Sequence, residues 1–380
     1  MPESRSSITT ETAEAMAPRL SFAAGARPLT REQKERMRIP YAARHVGVHW
    51  FETLLPVPTH PRAGDIALAR LERIGKNARI ELANGRPCTL HVGDLLVVVF
   101  GNRYATNQFE GYARVDGEAC DLLSMGGLCG MVESRHASVP DSSKLRLLGA
   151  LGDRDGRPLT LRSFSLAPAP RNARRPRVLV VCGSSMDAGK THTASSAIAG
   201  LKRLGESVAG IKLTGTAAGR DTWSMLDAGA CVALDFVDGG YPSTYLLELE
   251  QLLDLHAHLI GNAAERGASW AVVEIADGIL QGETAALLRS PRFTETVDAW
   301  LFAAGDPLAA LAGAQVLRGW GIEPAGITGR VTMSPLAMRE VTAATNLPCF
   351  TAPDLHAGVI NALLSEIAGG GLAAESAGAA

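Results

Sequence analysis

The residues best suited to chemistry form one short segment, Gly183-Ser184-Ser185-Met186-Asp187-Ala188-Gly189-Lys190-Thr191. It follows the apolar run Arg177–Cys182 and precedes an Ala-rich stretch of helical character. A glycine-rich turn between a strand and a helix lets backbone N–H groups at the helix N-terminus point at phosphates. Lys190 would neutralise charge on the β- and γ-phosphates, and the Thr191 hydroxyl would bind Mg²⁺. The pattern predicts a phosphate-binding loop, and the alternative is an ordinary strand–helix turn.

The spacing inside this segment is unusual, because five residues separate Gly183 from Gly189 where the common phosphate-binding loop has four. It resembles the G-T-D-T-x-V-G-K-T loop of dethiobiotin synthetase and its cobyrinate synthase relatives. It is also similar to a family with a G-T-D-C-x-V-G-K loop that is linked to amino-acid N-acylation. The resemblance covers residues 177–367 and implies a doubly wound P-loop domain that binds ATP and Mg²⁺. The second lysine of partitioning ATPases would stand at Ser185, and its absence disfavours their cross-subunit mechanism.

The resemblance also implies roles for individual residues. The nucleotide would be bound by Gly183, Ser184, Ser185, Asp187, Ala188, Gly189, Lys190, Thr191 and, near the base, Arg330. The magnesium ligands would be Thr191, Asp221 and Glu274. Lys190 and Lys212 would be the catalytic residues, which stabilise charge on the transferring phosphoryl group. Thr214 and Thr216, after the second strand of this region, would contact the substrate.

Two of these positions have a second interpretation, and the nearby Asp277 also has two. Asp221 also suits a helix N-cap. A lysine at a strand end, such as Lys212, is often only solvated. Asp277, which follows the run WAVVEIA, is either a second acid or a turn residue before a glycine. We also expect Lys190 to be an exposed loop residue that adds little to packing.

The adenine-binding residues of the synthetase have only partial counterparts. The segments 328–330 and 352–354 stand in their places, without the expected asparagine. An Asn-Lys-x-Asp guanine signature is also absent from the sequence. We therefore favour ATP over GTP.

In the first half of the chain, the loop Asn102–Glu110 is rich in polar residues and follows a strongly apolar run. Such a loop suits the binding of a polar small molecule. Arg103 would bind a substrate carboxylate with two parallel hydrogen bonds. The alternative is a solvated hairpin in which Arg103 pairs with Glu110.

The apolar runs around these motifs divide the chain into two textures. Short apolar runs at 65–71, 78–82, 88–92 and 94–100 are separated by turn signals such as Asn84-Gly85. This pattern predicts a small, mostly antiparallel β-domain, for which a barrel is one option. Later, strand-like runs at 177–182, 208–213, 270–276, 299–304, 326–331 and 347–350 alternate with helical stretches such as 191–204, 244–266 and 307–319. This alternation predicts an α/β fold with a parallel sheet covered on both faces.

These textures predict five segments along the chain of 380 residues. They are a disordered arm (1–27), a mostly-β domain (28–166), a Pro- and Arg-rich linker (167–176), a P-loop domain (177–367) and a disordered tail (368–380). The linker is short, so it would hold the two domains close together.

Composition limits the function classes. The formal charge of −2 disfavours a dedicated nucleic-acid binder, which carries a basic excess. No run approaches the roughly 18 apolar residues of a membrane helix, and the first 16 residues lack the apolar core of a secretory signal. Six scattered cysteines without a Cys-x-x-Cys pair fit a reduced cytoplasm. Neither nucleic acid nor membrane is an expected partner, and a homodimer is left open.

Taken together, the motifs predict an ATP- and Mg²⁺-dependent enzyme of the dethiobiotin-synthetase-like class. Its reaction would be of the ligase or kinase type, with transfer of the γ-phosphoryl group to a small carboxylate or carbamate. The alternative is a nucleotide-dependent adaptor in cofactor maturation, similar to the molybdopterin-guanine dinucleotide accessory proteins. In that case hydrolysis would switch a binding surface and yield no small-molecule product.

Overall fold

The computed structural model describes residues 25–169 and 174–360. The predicted tail and nearly all of the predicted arm lie outside these ranges, as do the middle of the linker (170–173) and residues 361–367. Within the described ranges, no helix is both long enough and apolar enough to span a membrane.

The first half is built almost entirely of strands. They are β1 (Arg27–Pro28), β2 (Thr53–Leu55), β3 (Ile66–Arg73), β4 (Arg79–Glu81), β5 (Pro87–Thr89), β6 (Leu95–Phe100), β7 (Phe109–Tyr112), β8 (Ala119–Leu122), β9 (Leu128–Arg135) and β10 (Ser143–Gly152). The described residues of this half also form one α-helix, α1 (Arg31–Arg36), and three short 3-10 helices. Eight of them form a sheet ordered β1-β2-β10-β3-β6-β9-β7, in which β8 pairs with both β10 and β9. All these pairs are antiparallel except β6–β9. The ring β10-β3-β6-β9-β8 therefore closes into a small five-stranded barrel.

The alternation of side chains explains why the barrel strands are apolar throughout. Along β6, Leu96, Val98 and Phe100 belong to the core enclosed by the barrel. Leu95, Val97 and Val99 belong to a different apolar cluster, which also contains residues of the second half. Successive side chains of a strand point to opposite faces, so both faces of β6 are buried. The hairpin β4–β5 is separate and turns at Asn84-Gly85, where Gly85 has a φ of +82°.

The second half is a layered α/β structure. Its strands are β11 (Arg177–Gly183), β12 (Val208–Lys212), β13 (Val232–Asp235), β14 (Trp270–Glu274), β15 (Ala299–Ala303) and β16 (Gly326–Thr328). Its helices are α2 (Lys190–Arg203), α3 (Arg220–Asp227), α4 (Leu249–Glu265), α5 (Gly282–Leu288), α6 (Pro291–Thr294), α7 (Pro307–Gly319), α8 (Pro335–Thr345) and α9 (Ala352–His356). The strands form one sheet ordered β13-β12-β14-β11-β15-β16, and every neighbouring pair is parallel.

Apolar side chains cover this sheet on both faces. Along β11, Leu179 and Val181 pack in a cluster with residues of α2, α3 and α9. Val178, Val180 and Cys182 point the other way, into the cluster that includes residues of α4, α5 and α7. A sheet buried on both faces needs strands that are apolar at every position, which explains the uninterrupted run 178–182.

Two of the predicted elements need correction. The run 347–350 is not a strand, because only a single bridge joins Cys349 to Ile327. The helix predicted from residue 244 begins at Leu249, where the Gln251 side chain accepts a hydrogen bond from the Glu248 N–H and ends the preceding loop. The edge strand β13 and helix α3 have only short, mixed sequences and were not predicted.

The two halves are joined by buried polar contacts as well as by the shared apolar cluster. Glu81 accepts hydrogen bonds from the Gly219 N–H (2.7 Å) and from Trp223 Nε1 (2.8 Å). The Tyr41 hydroxyl donates to Asp235 over 2.7 Å. At Gly126, a Cβ would overlap the carbonyl of Ala217, so only glycine allows this approach. The first half therefore lies directly against the loop after β12, at the carboxyl edge of the parallel sheet.

Candidate nucleotide site

The loop between β11 and α2 has the backbone conformation of an anion cradle. Gly189 precedes the helix with a φ of +103°, and Asp187 has a φ of +64°. Within the described part of the chain, the N–H groups of residues 185–187 and 189–192 donate to no protein acceptor. Unpaired N–H groups at a helix N-terminus favour a bound anion. The Ser184 N–H differs, because it donates to the Ala303 carbonyl over 2.9 Å and is not free for a phosphate.

Lys190 is buried, so the expectation of an exposed loop lysine was wrong. Its side chain is only 6% exposed, and its Nζ donates to the Ser185 carbonyl over 2.7 Å. Its methylene groups lie against Gly183, where a Cβ would come within 3.0 Å of Lys190 Cγ. Burial lowers the pKa of Lys190, although the nearby carboxylates of Glu274 and Asp277 oppose this shift. The ammonium group is thus held in the loop, where a phosphate would replace the carbonyl as its partner.

Thr191, Asp221 and Glu274 come together beside Lys190. The Thr191 hydroxyl lies 2.9 Å from Glu274 Oε1 and 3.3 Å from Asp221 Oδ1. Lys212 forms an ion pair with Asp221. The sheet explains this convergence, because Lys212 and Glu274 are register partners at the ends of β12 and β14. Helix α3 is capped by Gly219 and Asp221 lies in its first turn, so the N-cap interpretation of Asp221 was wrong.

This donor set fits Mg²⁺. Glu274 is only 2% exposed, and its Oε2 has no hydrogen-bond partner among the described residues. A buried carboxylate oxygen without a partner is costly, and a cation would remove that cost. Mg²⁺ binds one or two carboxylates and completes its shell with substrate phosphates and water. In residues 25–169 and 174–360, no cluster of three or more His, Cys, Asp or Glu side chains that could hold a metal ion is present.

A cavity of about 840 Å³ lies over these residues and has walls from both halves. The second half contributes Lys190, Lys212 and Arg330, and the first half contributes Arg103 and Gln108. Asn107 also donates a hydrogen bond to Asp187 of the loop over 3.1 Å. The cavity is within the usual size range of small-molecule sites, which often lie between domains.

Arg103 is fixed by the first half and faces this cavity. It donates to the Leu123 carbonyl, and its Nη2 donates to Gln108 Oε1 over 2.9 Å. Its Nε is buried without a partner among the described residues. Burial lowers the pKa of Arg103 to about 10, while the carboxylate of Asp277 opposes the shift. The alternative pairing with Glu110 was wrong, because Glu110 accepts hydrogen bonds from Tyr112 and Ser134 instead.

The remaining predicted residues occupy different places. Arg330 borders the cavity and its N–H donates to the Ala188 carbonyl over 2.9 Å. The segment 352–354 begins helix α9 and does not border the cavity. The Thr214 hydroxyl accepts a hydrogen bond from the Ala276 N–H over 2.9 Å. Thr216 borders both the main cavity and a smaller one next to it.

Two tyrosines near the site were not predicted. Tyr104 borders both cavities, and Tyr245 borders the smaller one. Their ring centroids are 5.5 Å apart. Tyr104 lies in the polar loop that the sequence singles out, so its neighbours gave a signal. Tyr245 lies in the connection between β13 and α4, outside any sequence motif.

Comparison with known proteins finds no matching family model and no curated protein of significant similarity. Among solved structures, the signal recognition particle 54 kDa protein of Aeropyrum pernix K1, in complex with GDP, is 18% identical with a TM-score of 0.33, over 52% of this chain and 50% of its own. A DUF1611 family protein of Anabaena variabilis is 15% identical with a TM-score of 0.35, over 52% and 62%. The match thus spans about half of the first structure and about three fifths of the second.

Proposed function

We propose that this protein is an ATP- and Mg²⁺-dependent enzyme that transfers the γ-phosphoryl group of the nucleotide to a small acceptor. The observation that carries the proposal is the convergence of Lys190, Lys212, Thr191 and Glu274 below a loop with unpaired N–H groups. Phosphoryl transfer depends mainly on positioning and on electrostatic stabilisation of the phosphoryl oxygens. Both are what these residues supply.

Each residue has a definite task in such a reaction. The N–H groups of the loop hold the phosphates, and Lys190 exchanges the Ser185 carbonyl for phosphate oxygens. Lys212, ion-paired with Asp221, adds a second positive charge at the same edge of the sheet. Thr191, Asp221 and Glu274 would hold Mg²⁺, which when bound neutralises charge on the β- and γ-phosphates.

The acceptor is the finer part of the proposal. The resemblance to dethiobiotin synthetase suggests a small carboxylate or carbamate and a ligase- or kinase-type reaction. Arg103, Thr214 and Thr216 lie around the phosphate-binding residues and are our candidates for substrate contacts. We also propose ATP over GTP, because no guanine signature is present in the sequence.

The test is nucleotide turnover by the full chain with ATP and with GTP. Each is measured alone and then with pools of small carboxylic acids, with and without Mg²⁺. Lys190→Met should abolish turnover, while Lys202→Met, an exposed lysine of the same helix, should not. Absence of nucleotide binding would refute the proposal. Turnover that responds only to a protein partner, and to none of the acids, would support the adaptor function instead.

A further inference from the structure

Asp277 is an acidic residue at the junction of the two cavities. It borders the main cavity together with Lys190 and Lys212, and it also borders the small cavity next to it. The turn that carries it packs against the phosphate-binding loop, since a Cβ at Gly278 would overlap the Ser184 carbonyl. In addition, the Ile279 N–H donates to the Gly183 carbonyl over 3.0 Å. These contacts hold the turn that carries Asp277 against the loop between β11 and α2.

The Asp277 carboxylate has no structural task that the described residues reveal. It is half-buried, yet it forms no hydrogen bond and no ion pair with the described residues. Its backbone is left-handed, with a φ of +60°. An Asp in a turn can bond its own backbone, as in an Asx-turn, but no such bond is present at Asp277 among the described residues. A strained residue with a free acidic group at a ligand cavity suggests a functional role.

The charged groups that face Asp277 come from several elements. Lys190 and Lys212 of the second half and Arg103 of the first half attract the carboxylate, and Glu283 repels it. Burial nevertheless dominates and raises the pKa of Asp277. A carboxylate with a raised pKa is a stronger proton acceptor than a solvated one.

The small cavity next to Asp277 is selective in its chemistry. Its volume of about 10 Å³ has room for about one water-sized group. Among the residues that line it are the hydroxyl side chains of Tyr104, Tyr245, Thr214 and Thr216 and the carboxylates of Asp277 and Glu283. This lining offers hydroxyl groups and two carboxylates but no cation. It therefore suits a neutral hydroxyl group and disfavours a carboxylate.

We propose that Asp277 is the catalytic base of the reaction and that the acceptor atom is a substrate hydroxyl placed beside it. This inference rests on the phosphoryl transfer of the proposed function, and it replaces the carboxylate or carbamate acceptor suggested there with a hydroxyl group of a small acid. The substrate would be a small hydroxy acid, whose carboxylate stays on the cationic side of the main cavity while its hydroxyl enters the small one. The hydroxyl oxygen attacks the γ-phosphorus, and the bond from that phosphorus to the β–γ bridging oxygen breaks. The hydroxyl proton passes to Asp277, and the products are a phosphate ester and the nucleoside diphosphate.

The experiment compares matched acids that differ only in a hydroxyl group: lactate with propionate, 3-hydroxybutyrate with butyrate, and malate with succinate. Each is added to the full chain with ATP and Mg²⁺, and both phosphate release and phosphorylated product are measured. The hydroxy acids should stimulate turnover and yield a phosphate ester. Equal stimulation by both members of each pair would overturn the proposal, because it would identify the carboxylate as the acceptor.

Asp277→Asn supplies the second measurement. Asparagine also tolerates a left-handed backbone, so the substitution removes the charge without disturbing the turn. The kcat of the hydroxy-acid reaction should fall about 10²- to 10⁴-fold with little change in the acceptor KM. The matched control is Asp227→Asn, an exposed carboxylate that has no partner among the described residues.

The outcomes separate this inference from the proposed function. If the wild-type chain neither binds ATP nor turns it over, the proposed function itself is refuted. ATP turnover that depends on Lys190 but not on Asp277 would overturn only the role of Asp277. If Asp277→Asn slows phosphate release equally with no acid present and no ester forms with any acid, the acceptor is water and the hydroxy-acid proposal falls.

Discussion

The replacement of Lys190 by methionine separates function from stability at one position. Methionine keeps an unbranched apolar chain over Gly183 but lacks the ammonium group. Loss of one preorganised donor to a developing charge reduces turnover about 10²- to 10³-fold, or about 2.7–4 kcal/mol. We therefore expect ATP turnover by Lys190→Met to fall by at least this factor.

The same substitution is not expected to lower the free energy of unfolding. Without nucleotide, methionine loses the hydrogen bond to the Ser185 carbonyl, and a hydrogen bond from a charged group contributes about 1.5–3 kcal/mol. It also removes a buried ammonium group, whose desolvation costs several kcal/mol before Glu274 and Asp277 offset part of it. The free energy of unfolding of the nucleotide-free protein should therefore stay the same or rise by up to about 2 kcal/mol.

The pH dependence of the unfolding free energy tests whether the buried ammonium group is the cause of this effect. The pKa of Lys190 is lower in the folded than in the unfolded chain, so between these two values the unfolded chain binds more protons. The contribution of Lys190 to the unfolding free energy of the wild type therefore rises with pH between these two pKa values. It is lowest below the folded-state pKa. Lys190→Met should lack this rise.

Denaturant unfolding without nucleotide and phosphate release with ATP give the two readouts, with Lys202→Met as the control. Turnover above about a tenth of wild type would contradict the role of Lys190, since a tenfold loss corresponds to only about 1.4 kcal/mol. A loss of more than about 2 kcal/mol in unfolding free energy would instead show that the ammonium group holds the loop together.

Three further substitutions test other parts of the structure. Glu274→Gln should raise the Mg²⁺ concentration for half-maximal turnover about 10- to 150-fold, the equivalent of about 1.5–3 kcal/mol, and an unchanged titration would make Glu274 structural. Glu81→Ala should lower the unfolding free energy by about 1–3 kcal/mol for each of the two donors left unpaired, whereas Glu133→Ala, an exposed ion-pair partner, should change it by less than about 0.5 kcal/mol. Arg103→Ala should lower acid-stimulated turnover with little change in ATP affinity. It should also lower the unfolding free energy by about 1–3 kcal/mol, because the Leu123 carbonyl loses its partner. A large loss of ATP affinity in this variant would contradict the assignment of Arg103 to the acceptor alone.

Local sequence predicts those parts of the fold that local physics controls. The run 178–182 is apolar at every position, which only a strand buried on both faces requires, and it forms β11. The Pro307–Gly319 helix was predicted with its observed bounds, because Asp306 caps it and Pro307 favours its first turn. By contrast, β13 at the sheet edge has a short sequence that fits a strand or a loop equally well. Neighbouring strands decide such a case.

The site shows the same division. The predicted phosphate-binding loop could be located from one contiguous segment, because its glycines and Lys190 belong to the backbone turn that precedes α2. The burial of Lys190 could not be predicted, since the carboxylates near its ammonium group, Glu274 and Asp277, come from a distant part of the chain.

What only the tertiary structure decided is the meeting of the two halves. The barrel closes through pairing of β8 with β9 and β10, and its outer face packs on the second half, which brings Arg103 to the same cavity as the loop between β11 and α2. From the sequence, Asp277 was interpreted as either a second acid or a turn residue. In the structure it has both features, because it lies in a turn with a φ of +60° and it borders two cavities. The physical reason is that short-range patterns specify backbone conformation, whereas the partners of a side chain depend on contacts between residues far apart in sequence.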